Sequence, residues 1–239
     1  MTPEQFFADL LAADPGHPFV TYYDEASGER SELSAKSLAN WVAKTHHLLG
    51  DELGLTVGDT ALVALPPHWI SVAPLLGCLT GGLALTSEPA QAAVAFVAPA
   101  TAGLASGIAD VYAVAPDSAA VGFGPAPPPD TQDYVAAVRP QEDKWPGVRF
   151  GAGEADPCLD GRSRSQVAAD AQRRAGELGL SRGARVLSTR DWNGAADWLD
   201  TLLAPLAVGG SVVYLRNCTD PAVLERRVAQ ERVTAVLTP

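Results

Sequence analysis

Residues 150–166 read FGAGEADPCLDGRSRSQ, and a helix-like run follows them. A glycine-rich loop opening a helix is a common cradle for phosphate. Small residues let backbone N–H groups come close, hydroxyls add donors, and a lysine offsets the charge. This stretch supplies three glycines but sets Glu154, Asp156 and Asp160 where anionic phosphates would lie. Like charges at a few ångströms repel by roughly 1–4 kcal/mol per pair. The lysines of the chain, Lys36, Lys44 and Lys144, all fall outside the stretch. The pattern GxxxxGK[ST] occurs nowhere, and Asp156 stands where a dinucleotide fingerprint needs its third glycine. What remains is a candidate anion site at Arg162, Ser163, Arg164 and Ser165, at a helix start where the dipole favours negative charge. The preferred reading of those four residues is a helix cap flanked by two solvated arginines.

Other chemistry is sparse. His46 and His47 are neighbours, so on a helix they diverge by about 100° and do not share a metal. Solvated or capping roles are expected for the histidines. His68 follows Pro67 at a strand-to-helix turn, a frequent place for active sites in α/β folds, but no nucleophile accompanies it. GLASG (103–107) has its serine one place late for a nucleophile elbow. Cys78, Cys158 and Cys218 lack zinc spacing and read as buried or incidental thiols. No catalytic residue and no metal ligand is expected.

Composition narrows the class. In 239 residues, 47% are apolar and 19% charged, which fits a globular chain with ample core. A net charge of −11 argues against nucleic acid as a partner. Residues 60–87 contain no Asp, Glu, Lys or Arg, but Pro66, Pro67, Pro74, Gly81 and Gly82 break the run into strand, helix and strand. A membrane role is therefore not expected. The opening MTPEQFFADLLAADPG has no basic leader, so a cytoplasmic protein is expected.

The elements that would position any site follow from pattern. FVTYYDEASGERSEL (19–33) predicts a hairpin, and Ser34 caps a helix to about Leu49. Strands are predicted at 61–65, 83–86, 93–98, 111–115, 185–189, 211–215 and 233–238. Helices are predicted at 68–80, 99–109, near 131–139, from Ser163 or Ser165 to Leu178, at 195–207 and at 221–231. GFGPAPPPD (122–130) predicts an irregular connection. Strands rich in Val, Leu and Ala alternate with helices, which indicates mostly parallel sheets covered on both faces.

An internal repeat sharpens this picture. ELGLTVGD, ALVAL, a Trp-containing helix, LLGCLTGG and LALTS recur as ELGLSRGA, RVLST, a Trp-containing helix, LLAPLAVGG and SVVYL. The expectation is an α/β fold of two similar three-layer αβα units, 1–145 with the hairpin and 146–239, packed together with a cleft between them.

FVTYYDEASGERSELSAKSLANWVAKTHHLL with LGLTVGDTALVALPPHWISVAPLLGCLTGG resembles the opening of the adenylate-forming superfamily. LGLSRGARVLSTRDWNGAADWLDTLLAPLAVGGSVVYL and ERVTAVLTP resemble the next block of the same lobe. That superfamily comprises acyl-CoA synthetases, peptide-synthetase adenylation domains and luciferases. The chain also resembles a family of short, degenerate members of actinobacterial type. The resemblance covers nearly the whole chain but about the first half of such an enzyme.

It implies that the stretch at 150–166 holds the place of the ATP-phosphate loop, and that Trp192 and Asn193 fall where the family lines its acyl pocket. It also implies that the adenine strand, the ribose-binding Asp and the catalytic Lys would come after ERVTAVLTP. The expected function is a non-catalytic relative with a gutted phosphate loop. It would have no cofactor, with ATP or AMP disfavoured, and would bind a small carboxylate, an acyl group or a protein partner. Two rivals are an AMP-binding adenylation activity completed by a second chain, and a structural homo-oligomer.

Overall fold

The strand-forming runs assemble into two sheets separated by a layer of helices. The computed structural model describes residues 1–86, 88–116, 121–123, 126–144 and 152–239. In chain order the strands are β1 (Pro18–Asp24), β2 (Glu29–Ser34), β3 (Thr60–Ala64), β4 (Ala84–Thr86), β5 (Val94–Val97), β6 (Asp110–Ala113), β7 (Gln132–Asp133), β8 (Pro157–Leu159), β9 (Arg162–Ser163), β10 (Arg185–Ser188), β11 (Ser211–Arg216) and β12 (Ala235–Leu237). The helices are α1 (Pro3–Ala13), α2 (Ala35–His47), α3 (Trp69–Thr80), α4 (Tyr134–Val138), α5 (Arg164–Glu177), α6 (Ala195–Trp198), α7 (Ala204–Ala207) and α8 (Pro221–Gln230). Pro99–Ala105 forms a 3₁₀ segment.

The larger sheet has the order β7-β6-β5-β3-β4-β8-β9, and the smaller β12-β10-β11-β1-β2. All neighbours run parallel except β1 with β2 and β8 with β9. The fold is α/β with mostly parallel sheets, as the patterning indicates. Each sheet draws strands from both sides of residue 145. The N-terminal hairpin pairs with β11 and so joins the sheet of the second unit, not the first with which its sequence position groups it. In return β8 pairs with β4.

Local chemistry explains both placements. In β1, Phe19, Val20, Thr21, Tyr22 and Tyr23 are all buried, so the strand needs neighbours on both edges and cover on both faces. Its partner β2 alternates in exposure and carries Glu29, Arg30 and Glu32, the charged pattern of an edge. The β8–β9 turn has Asp160 at φ +45° and Gly161 at φ +77°, the paired left-handed residues of a tight hairpin. The sequence reading of a glycine-rich loop leading into the helix at Ser163 or Ser165 is thus corrected. Its described part from 157 is a short hairpin, while residues 150 and 151 lie outside the described residues.

The inner helices serve both sheets. Every residue of α3 is buried, as expected of a helix that is apolar all round. One core runs from Val20, Tyr22, Val212 and Tyr214 of the smaller sheet, through α1, α2 and α3, to Val63, Val94 and Phe96 of the larger. Helices α2 and α3 approach so closely that a Cβ on Gly77 would lie 2.6 Å from Thr45 Cβ. The predicted helix at 195–207 carries a π-turn at Leu199–Leu203. Pro205 lacks the N–H that would bond the carbonyl of Thr201. That carbonyl accepts from Tyr214 Oη at 3.2 Å instead.

A buried ion pair ties these elements together. Arg164, at the start of α5, and Glu4, in the first turn of α1, are 0% and 1% exposed and 2.8 Å apart. Arg164 also donates to the carbonyls of Leu79 (2.9 Å) and Leu83 (3.0 Å), at the end of α3 and the start of β4. One guanidinium thereby joins two helix beginnings to a helix end. On the smaller sheet, Glu231 accepts from Tyr23 Oη at 2.5 Å, from Arg185 at 2.5 Å and from Arg30 at 3.2 Å. Burial pushes the Glu231 carboxyl up, but the hydrogen bonds from Tyr23 and Arg185 outweigh it and hold the group below its ordinary value.

Two outcomes follow. Arg164→Met leaves Glu4 buried and unpaired, and denaturant unfolding will show a loss of about 3–5 kcal/mol. Adding Glu4→Met will recover most of that loss, which identifies the orphaned charge as its cause. For Glu231, a depressed native pKa means stability that is present above about pH 4.5 and lost as pH falls through the lower native value. Thermal melts between pH 6 and pH 3 will show that acid loss reduced in Glu231→Gln.

Candidate functional site

A cleft of 470 Å³ opens at the carboxyl ends of β3 and β4 and beyond β5, the usual ligand position in parallel sheets. Leu65, Pro66, Thr86, Ala98, Thr101 and Leu104 form one wall, and 191–194 with Trp198 form the other. The first wall belongs to the larger sheet and the second to the loop and helix after β10. The Thr101 hydroxyl holds the 3₁₀ segment in place by donating to the Ala64 carbonyl at 2.5 Å and accepting from Ala98 N at 2.9 Å.

The opposite wall is fixed by a chain of contacts. Trp192 is 9% exposed, donates Nε1–H to Thr201 Oγ1 at 2.9 Å and meets the Tyr214 ring edge-on at 5.5 Å. Thr201 Oγ1 donates to the Asp197 carbonyl at 2.7 Å. Gly194 has φ +145° and ψ −158°, a conformation essentially reserved for glycine, and the chain turns there into α6. Asn193 is exposed at the mouth, and its backbone N–H donates to Asp197 Oδ2 at 2.8 Å. Trp198 is 3% exposed, and its Nε1–H has no acceptor among the described residues.

The charges around this wall are already matched. Asp191 pairs with Arg216. Arg190 donates to Asp200 at 3.1 Å and to the Thr238 carbonyl at 2.8 Å. Asp200 takes a two-pronged bond from Arg174, 2.7 Å on each arm.

The structure brings Trp192 and Asn193 together on this cleft and places Arg162, Ser163, Arg164 and Ser165 elsewhere. Ser163 is the N-cap of α5 and forms a capping box with Gln166. The first helical N–H groups, those an anion would use, are taken. Arg164 N donates to the Asp156 carbonyl (3.0 Å), Ser165 N to the Glu154 carbonyl (3.0 Å) and Gln166 N to Ser163 Oγ (3.3 Å). Arg162 pairs with Asp170 at 3.0 Å. The cap is as read, but the expectation of two solvated arginines is corrected for Arg164, whose burial follows from its bond to Glu4.

His68 caps α3, with Nδ1 accepting from Ile70 N at 3.2 Å, and its ring packs on Tyr22 with centroids 4.1 Å apart. Burial pushes its pKa down to about 3, so it is a neutral cap near pH 7. His46 is buried rather than solvated, and burial pushes it down to about 4. Among the described residues, no group of three or more His, Cys, Asp or Glu can hold a metal. No helix there is long and apolar enough to cross a membrane. Residue-level reading missed Thr86, Leu104 and Trp198. Trp198 had a signal, since each copy of the repeat carries a tryptophan in its helix.

No family model matches the sequence. A relative from Mycobacterium tuberculosis (strain ATCC 25618 / H37Rv), described as a TIGR03089 family protein, is 40% identical over 235 residues, covering 95% of this chain and 94% of its own. Among solved structures, an acyl-CoA synthetase from Brucella canis superposes with a TM-score of 0.77 at 17% identity, covering 100% of this chain and 47% of the other. Acetoacetyl-CoA synthetase from Streptomyces lividans gives 0.76 at 17%, with 100% and 42% covered. The anthranilate CoA ligase AuaEII, solved with anthranoyl-AMP, gives 0.72 at 13%, with 99% and 49% covered. The chain thus has the fold of part of such ligases and spans less than half the length of these three. By its identity with the mycobacterial relative over nearly the whole of both sequences, the chain belongs to the TIGR03089 family.

Proposed function

We propose that this chain is a non-catalytic relative of the adenylate-forming ligases that binds a small acyl or carboxylate-derived ligand in the cleft between its sheets. The observation that carries the reading is the commitment of the α5 start. Its backbone donors are taken by Glu154, Asp156 and Ser163, and Arg164 is buried on Glu4. A triphosphate there would displace structural bonds and meet acidic neighbours without a lysine beside them. The cleft, by contrast, is open and lined by apolar side chains, the ordinary make-up of a small-molecule site.

A second reading draws on length. The chain covers 42–49% of the ligases named above, so an adenylation activity completed by a separate polypeptide fits the same fold. Its mark would be ATP–pyrophosphate exchange that appears only when a second chain from the source organism is added.

Calorimetry with ATP, AMP and a non-hydrolysable acyl-adenylate mimic tests the main reading. The mimic is chosen because one neighbour of the fold holds an acyl-adenylate. ATP and AMP are expected to give no heat at millimolar concentration. Micromolar binding of ATP that Arg162→Ala abolishes would overturn the non-catalytic reading.

A further inference from the structure

The cleft is short of positive charge. Among the described residues that line it there is no Lys, Arg or His. Its one charged side chain, Asp191, is negative and paired with Arg216. Arg190, beside the mouth, is committed to Asp200 and the Thr238 carbonyl. The start of α6 lies next to Gly194, but Asp197 sits in its first turn, so the helix end already has its anion. A carboxylate entering this space would shed its water and find no counter-charge, a costly transfer.

The cleft nevertheless offers hydrogen bonds. Asn193 presents a side-chain amide at the mouth, a neutral donor suited to a carbonyl oxygen, whereas the indole nitrogen of Trp198 is sealed within the wall. Trp192, Trp198, Leu65, Pro66 and Leu104 supply flat and branched apolar surface.

We propose that the cleft selects an uncharged ligand, an amide, ester or ketone on a compact aromatic or branched body, and rejects the free carboxylate. This rests on the reading of the cleft as the ligand site and narrows it. The ligand oxygen accepts from the Asn193 amide, and the apolar body packs between the tryptophan wall and Leu104.

The test uses a matched series on the full chain: benzamide, methyl benzoate and benzoate, followed at pH 7.5 by tryptophan fluorescence and calorimetry. Benzamide and methyl benzoate are expected to bind at least about tenfold more tightly than benzoate. Asn193→Leu, checked for native circular dichroism, is expected to weaken benzamide by about threefold to fivefold, as for one lost neutral hydrogen bond. Asn193→Arg, a change at an exposed position, is expected to shift the preference toward benzoate. Benzoate binding as tightly as benzamide to the unaltered chain would overturn the selectivity while leaving the cleft as the site. Binding of none of the three, or binding that Trp192→Ala leaves unchanged, would overturn the cleft reading and this inference with it.

Discussion

The buried bond between Arg164 and Glu4 is the constraint on which much of this molecule turns. A guanidinium without access to water needs strong partners at hand, and this one finds a carboxylate and two carbonyls, while its Nε has no acceptor among the described residues. Each comes from a different part of the chain: the first turn of α1, the end of α3 and the start of β4. Removing the pair in concert is tolerable, but removing one partner strands a charge in the core. The same bond changes how the glycine-rich stretch is read. An arginine that reads as a phosphate clamp is spent inside the protein, and the backbone donors beside it close on the turn at 154–156.

The repeat gives a second organising element. In both copies a Gly-Gly turn closes back on the start of the preceding strand by equivalent bonds. Gly58 N donates to the Gly82 carbonyl and Ala84 N to that of Asp59; Gly183 N donates to the Val208 carbonyl and Ser211 N to that of Ala184. The copies differ where the cleft forms. Both Trp69 and Trp198 belong to the common core, but the helix of the second copy carries a π-turn and its Trp198 also lines the cleft. Pro205 contributes to that difference by freeing a carbonyl for Tyr214, whose ring in turn supports Trp192.

Much of the fold was legible because its strands are short, apolar and bounded by glycine or proline. Residues 19–23 read as a strand, and their unbroken run of apolar and hydroxyl side chains signals burial on both faces. Sheet order was not legible, since no local pattern names the partner of a parallel strand. That is why the first hairpin had to be seen on β11. The Asp160-Gly161 turn carried a hairpin signal, but it joins strands of three and two residues, too short to show alternation. Arg164 was misjudged for a related reason: its partner lies 160 positions earlier, and burial of a charge is decided by such distant encounters. At the cleft, Trp192 and Asn193 were placed by resemblance, while Thr86 and Leu104 reach it only through tertiary packing.

The exchange of strands between the sheets has a mechanical corollary. A protein whose two halves meet across a plain seam can swing them apart like jaws. Here the first hairpin is stitched into one sheet and β8–β9 into the other, so a swing would tear ladders of backbone bonds. Parting the two sheets as rigid bodies is therefore barred as a way of widening the cleft.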